Sequence, residues 1–152
     1  MSPSQERAAD ADLGSAARVL VHLVRVLEKD CEEVGLTLSQ YRLLSMIDAS
    51  PQRAGRLAER AAVSPPAVTA ALDALEERGL VARRRDPEDR RAVALRLTRD
   101  GAAALRASDR AMGRTLTRLV PPESQADLVD DLLAVGAAME EFFAVATPAG
   151  RR

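Results

Sequence analysis

Nine consecutive residues, Arg83-Arg84-Arg85-Asp86-Pro87-Glu88-Asp89-Arg90-Arg91, contain five arginines. Guanidinium groups this close repel one another unless an anion lies nearby, and their planar forks hydrogen-bond phosphate or carboxylate oxygens. The chemistry of such a run is electrostatic: capture of a long, regular polyanion, of which a phosphate backbone is the commonest. A charged hairpin facing only water has the same composition, so the flanking elements must decide between the two.

Leu80-Val81-Ala82 and Val93-Ala94-Leu95-Arg96-Leu97 bracket the run, and Val93, Leu95 and Leu97 alternate as half-buried strand residues do. The run is thus the tip of a hairpin that turns at Asp86-Pro87. Immediately before it stands a strongly marked helix, with Ser64 as N-cap, Pro65 at the first position that proline tolerates, and Gly79 as the stop. Val68, Ala71, Leu72 and Leu75 form its inner stripe, and Pro66, Ala67, Thr69, Ala70, Asp73 and Ala74 face outward. At about 15 residues it is a rod of roughly 22 Å, suited to a major groove. A shorter helix at about Ala54 to Ala61 precedes it across the tight link Ala62-Val63-Ser64. Arg53, Arg56 and Arg60 fall largely away from the apolar face of Leu57, Ala58 and Ala61, which makes them candidate phosphate contacts. Two helices, a tight turn and a basic hairpin in this order predict a winged helix-turn-helix.

The rest of the chain reads as helices. Leu13, Ala16, Ala17, Leu20, Leu23, Val24, Leu27, Cys31 and Val34 recur at helical spacing until Gly35. A second helix starts at Thr37 or Ser39, buries Tyr41, Leu44 and Ile47, and ends at Ser50-Pro51. Beyond the wing, Thr98 caps a helix to about Leu119, Pro121-Pro122 interrupt it, and Glu123 to Ala146 form the last, with Leu128, Leu132, Val135, Met139, Phe142 and Phe143 on its apolar side. The expected fold class is mainly α with a small β wing. The expected organisation is a disordered tail (1–12), a helix of the dimerisation region (13–35), a winged helix-turn-helix domain (36–98), C-terminal dimerisation helices (99–146) and a disordered tail (147–152). The first and last helices carry more apolar surface than a lone winged lobe covers, which predicts pairing across a two-fold axis into a homodimer.

Composition narrows the chemistry further. The net charge of −1 conceals an asymmetry: residues 51–99 hold 11 arginines against 7 acids, and the remainder holds 11 basic residues against 16 acids. A basic lobe sits on an acidic body. One Tyr and two Phe are too few to stack bases, which disfavours single-stranded nucleic acid. Cys31 is the only cysteine, so no intrachain disulfide forms, and a reducing cytoplasm is the expected setting. No apolar run approaches the roughly 18 residues of a membrane span. A single His and a single Cys cannot build a zinc site, and His22 and Cys31, about 13 Å apart by helical rise and on opposite sides of one helix, cannot form a dyad. No glycine-rich phosphate loop is present. No enzymatic activity, cofactor or metal is expected.

Leu36-Thr37-Leu38-Ser39-Gln40-Tyr41-Arg42-Leu43-Leu44, the segment from Ser64 through Gly79-Leu80-Val81, and Asp86 to Arg91 followed by Leu95-Arg96-Leu97-Thr98 and Gly101 together resemble the MarR-type regulators of bacteria and archaea, over most of residues 13 to 146. The resemblance implies a homodimer on a pseudo-palindromic duplex DNA operator, usually a repressor, released by a small molecule or an oxidant. It implies that Arg90 or Arg91 enters the minor groove with Asp89 holding that arginine, and that Ser64, Pro66 and Thr69 meet DNA. Arg83, Arg84 and Arg85 are expected to follow phosphates. Ala70 stands where the family often has arginine, which shifts weight toward thymine-methyl contacts and groove shape. Arg18, His22, Arg25 and Lys29 share one side of the first helix, which reads either as a solvated cationic face or, with Arg18 and His22 as the candidate contacts, as the wall of a site for an anionic or phenolic effector. Two alternatives stand beside this reading: thiol-based sensing through Cys31, and a winged helix that binds an acidic protein partner without sequence-specific DNA binding.

Overall fold

The structure, a computed structural model, describes residues 3–49, 57, 64–85 and 93–146. Helix α1 (Pro3–Glu33) begins well before the expected start near Leu13. The segment expected to be a disordered tail is helical because Ala8, Ala9 and Ala11 are strong helix formers and Pro3 sits where a helix start tolerates proline. The helix ends at Gly35, whose φ of 81° places it in the left-handed region. There the amide of Gly35 donates to the carbonyl of Glu32 and that of Leu36 to Cys31, each at 2.9 Å, turning the chain sharply while Leu36 is buried.

Helix α2 (Leu38–Ala49) opens with a reciprocal capping box: the amide of Gln40 donates to Thr37 Oγ1, and the amide of Thr37 donates to Gln40 Oε1, both at 3.1 Å. Thr37, rather than Ser39, is therefore the cap. Helix α3 (Pro65–Glu77) closes as α1 does, with Gly79 at φ 69° and the amide of Leu80 on the carbonyl of Leu75 at 2.9 Å. Strand β1 (Val81–Arg85) pairs antiparallel with β2 (Val93–Leu97), so that Val81 opposes Leu97, Arg83 opposes Leu95 and Arg84 opposes Ala94. Helix α4 (Arg99–Leu119), a 3-10 turn at Pro122–Ser124 and helix α5 (Gln125–Ala146) complete the described elements. The short helix expected at 54–61 lies outside the described residues apart from Leu57, which is helical and fully buried. The tail expected at 147–152 also lies outside them.

The core gathers Cys31 and Leu36, then Leu43, Leu44 and Ile47 of α2, Val68, Leu72 and Leu75 of α3, Val81 and Leu95 of the hairpin, and Leu105 and Met112 of α4. It therefore sits beneath α3 and the hairpin and fixes their relation. Among the described side chains, none of α5 and none of residues 12–23 of α1 is buried in it. Those helices instead expose Val19, Leu20, Val21 and Leu132, Leu133, Val135, among others. Helix α4 joins the hairpin through Thr98, whose hydroxyl donates to the carbonyl of Gly79 at 2.7 Å and accepts from the amide of Gly101 at 3.0 Å.

Candidate nucleic-acid interface

Two surfaces meet on one side of the core: the outer face of α3 and the β1–β2 hairpin. Ser64, Pro66, Ala67, Thr69 and Ala70 are all exposed along the first turns of α3. Ser64 occupies the N-cap position, but its side chain makes no capping hydrogen bond. Pro65 and Pro66 carry no amide N–H, and the amide of Ala67 is already bonded to the carbonyl of Ser64 at 3.0 Å. The helix start therefore offers a hydroxyl and apolar groups, with few of the backbone donors that helix N-termini usually present to phosphate.

The hairpin divides its arginines by face. Side chains alternate along a strand, and directly opposed residues share a face, so Arg83 lies with Val81, Leu95 and Leu97 on the side that packs toward α3. Its Nε donates to Glu76 Oε2 and its Nη2 to Asp73 Oδ1, both at 2.8 Å. Arg84 lies on the other face with Ala82 and Ala94. Arg96, opposite Ala82, shares that face as the diagonal neighbour of Arg84, and both are exposed. Arg85 is placed in β1 by its backbone. Arg53, Arg56, Arg60, Asp89, Arg90 and Arg91, the remaining expected contacts, fall outside the described residues.

Arg96 and the partners of Arg83 were not singled out from the sequence. The signal was there: alternation from Val81 puts Arg83 inward, and alternation from Leu95 puts Arg96 outward. The capping box Thr37-Leu38-Ser39-Gln40 is likewise a sequence pattern, and Arg78 Nη1 adds to it by donating to Gln40 Oε1 at 3.3 Å.

The two regulatory expectations on α1 map differently. Arg18 and His22 are exposed, and the Arg18 guanidinium donates to Ser15 Oγ at 3.0 Å. Neither lines the recess of about 460 Å³ between the end of α1 and α4, whose walls include Asp30, Glu33, Arg114, Thr115 and Arg118. Asp30 Oδ1 accepts from Thr115 Oγ1 at 3.0 Å, and its Oδ2 is buried with no hydrogen-bond partner among the described residues. Cys31 is fully buried, its thiol directed at Met112 Sδ at 3.9 Å. Burial foremost, and then the carboxylates of Asp30, Asp109, Glu28 and Glu32, push that thiol up from its ordinary value. Thiol sensing needs a low pKa and access, and this cysteine has neither in the described chain.

The MarR family model matches residues 36–93, the stretch from the start of α2 to the first residue of β2. Solved structures share this fold. The transcriptional repressor CouR bound to a 23-mer DNA duplex is 29% identical, with a TM-score of 0.63 over 80% of this chain and 89% of that one. Over residues 36–93 the chain is similar to the MarR family. RV1404 from Mycobacterium tuberculosis is 25% identical, with a TM-score of 0.67 over 99% of this chain and all of that one. The HTH-type transcriptional repressor MdtR of Bacillus subtilis (strain 168) is 38% identical over 71 residues, 46% of each chain. The matches span 31% to 62% of the length of the curated transcriptional regulators that the chain resembles. The mainly α fold with its two-stranded wing is thus the one expected from the arginine run and its flanks. Among the described residues no group of His, Cys, Asp or Glu is arranged to hold a metal, and no helix is long and apolar enough to cross a membrane.

Proposed function

We propose that this chain is a MarR-type regulator that binds a pseudo-palindromic duplex operator as a homodimer and represses transcription until a small effector releases it. The observation that carries the DNA reading is the pair of exposed cations Arg84 and Arg96 on one face of the hairpin, in the same lobe as the exposed first turns of α3. Cations on a protruding hairpin track phosphates, and the adjoining rod supplies the element that enters a groove. Ser64, Pro66 and Thr69 are the proposed groove contacts, Arg53, Arg56, Arg84 and Arg85 the proposed phosphate contacts, and Arg90 or Arg91, held by Asp89, the proposed minor-groove insertion. The exposed apolar stripes of α1 and α5 support the dimer. Arg18 and His22 stay the proposed effector contacts. Support for them is the cationic side of α1, exposed and away from the core.

Enrichment from a pool of randomised duplexes tests the reading. A regulator of this kind selects an inverted repeat whose half-sites lie about one helical turn apart. A wing that serves only an acidic protein partner selects no sequence.

A further inference from the structure

Asp73 and Glu76 lie one turn apart on the exposed side of α3, the helix read here as entering the groove. Carboxylates in that position face the phosphate backbone and repel it. Strand β1 brings Arg83 against both: Nε on Glu76 Oε2 and Nη2 on Asp73 Oδ1, each at 2.8 Å. One edge of the guanidinium is thereby committed to α3. The three formal charges leave the group with a net negative charge, so Arg83 supplies no surplus positive charge to a polyanion. The Arg83, Asp73 and Glu76 side chains remain 46%, 53% and 40% exposed, and ion pairs this solvated contribute little to folding. Their consequence lies in the field that α3 presents and in the angle at which the wing leaves it.

We infer that Arg83 is a positioning residue of the DNA-binding surface, which masks the Asp73 and Glu76 carboxylates from the phosphate backbone and ties β1 to α3, and is not a phosphate contact. This rests on the DNA-binding reading above and deepens it. Within β1 the arginines thereby divide, Arg83 as an inward residue that prepares the helix and Arg84 as an outward one that meets DNA. The separation follows from strand alternation. Arg83 shares its face with Val81, and Arg84 shares its face with Arg96.

Charge neutralisation in steps distinguishes a mask from a contact. Arg83→Gln leaves both carboxylates uncompensated, whereas Arg83→Gln combined with Asp73→Asn and Glu76→Gln removes the whole cluster while retaining amide hydrogen bonds. Binding of each full-length variant to the selected duplex is measured across a salt series. The mask predicts that Arg83→Gln weakens binding by about tenfold or more, and that the triple variant returns to within about threefold of the parent. The slope of log affinity on log salt stays at the parent value in both. A triple variant as weak as Arg83→Gln, with a slope reduced by about one phosphate per arginine removed, overturns the assignment and makes Arg83 a contact. Parent-like affinity of Arg83→Gln overturns it as well. Failure of the parent protein itself to prefer any duplex overturns the DNA reading, and is visible before any variant is compared.

Discussion

The hydroxyl of Tyr41 donates to Asp109 Oδ1 at 2.9 Å, joining α2 inside the winged lobe to the middle of α4, the helix that leads out of it. Burial first, and then the hydrogen bond and charge of Asp109, raise the phenol well above its ordinary range. Tyr41 therefore stays neutral in the folded chain at a pH where the unfolded phenol ionises, about 10. Its contribution is complete below that pH and is lost as pH rises above it, because the unfolded state releases its proton first. Tyr41→Phe is expected to cost about 1 kcal/mol at pH 7 and to flatten the alkaline fall in stability. Urea unfolding of both proteins at pH 7 and at about 10.5 provides the check. Equal losses between the two pH values would contradict the linkage.

Gly101 sits against the backbone of Leu80. A Cβ built there stands 1.9 Å from the carbonyl oxygen of Leu80 and 2.8 Å from its carbonyl carbon, and backbone cannot step aside as a side chain can. Gly101→Ala is expected to destabilise the fold by at least the roughly 1–3 kcal/mol of ordinary overpacking. Gly113 and Gly136 also lie in helices, yet nothing stands within 4 Å of a Cβ at either. Alanine there is expected to be neutral or to stabilise by up to about 1 kcal/mol through helix propensity. Three urea curves decide it, and similar midpoints for all three alanine variants would refute the packing account.

Leu133, 68% exposed on α5, and Val21, 71% exposed on α1, are large apolar side chains left open to solvent. A homodimer that covers them predicts a particle of about twice the 16.3 kDa chain mass by light scattering at micromolar concentration. Leu133→Glu is expected to shift the population toward monomer while leaving the winged lobe folded, since Leu133 takes no part in its core. A parent protein that scatters as a monomer would remove the dimer and the palindromic operator with it.

The winged lobe was legible in the sequence because its signals are local. Ser64-Pro65 and Gly79 bound a helix by backbone chemistry, and Val93, Leu95 and Leu97 announce a strand by alternation. The start of α1 was missed because the apolar stripe begins only at Leu13, whereas the ten residues before it carry no such stripe and include three alanines, strong helix formers. The site was only half legible. Counting arginines shows how many cations the hairpin has, but each one's partner depends on which helix lies under which strand face. The charge census therefore placed Arg83 with Arg84, although the pleat separates them. The recess beside Asp30 was invisible for the same reason, because Asp30 and Thr115 meet only when α1 and α4 pack together.

Cys31 provides a test of regulation. A fully buried thiol with a raised pKa is expected to resist an aromatic disulfide reagent at pH 7 for as long as the chain stays folded, and to react fully in about 8 M urea. Rapid labelling of the native protein, with loss of DNA binding under mild peroxide that Cys31→Ser abolishes, would restore the redox reading.

The central claim is that the wing and α3 read duplex DNA, and salt dependence on the enriched duplex tests it most directly. A dimer that neutralises about 6 to 10 phosphates gives a log–log slope of about −5 to −9, with nanomolar affinity at physiological salt and at least about a thousandfold preference over random duplex. Micromolar binding that is equal on both duplexes would contradict it and leave the arginines to some other acidic partner.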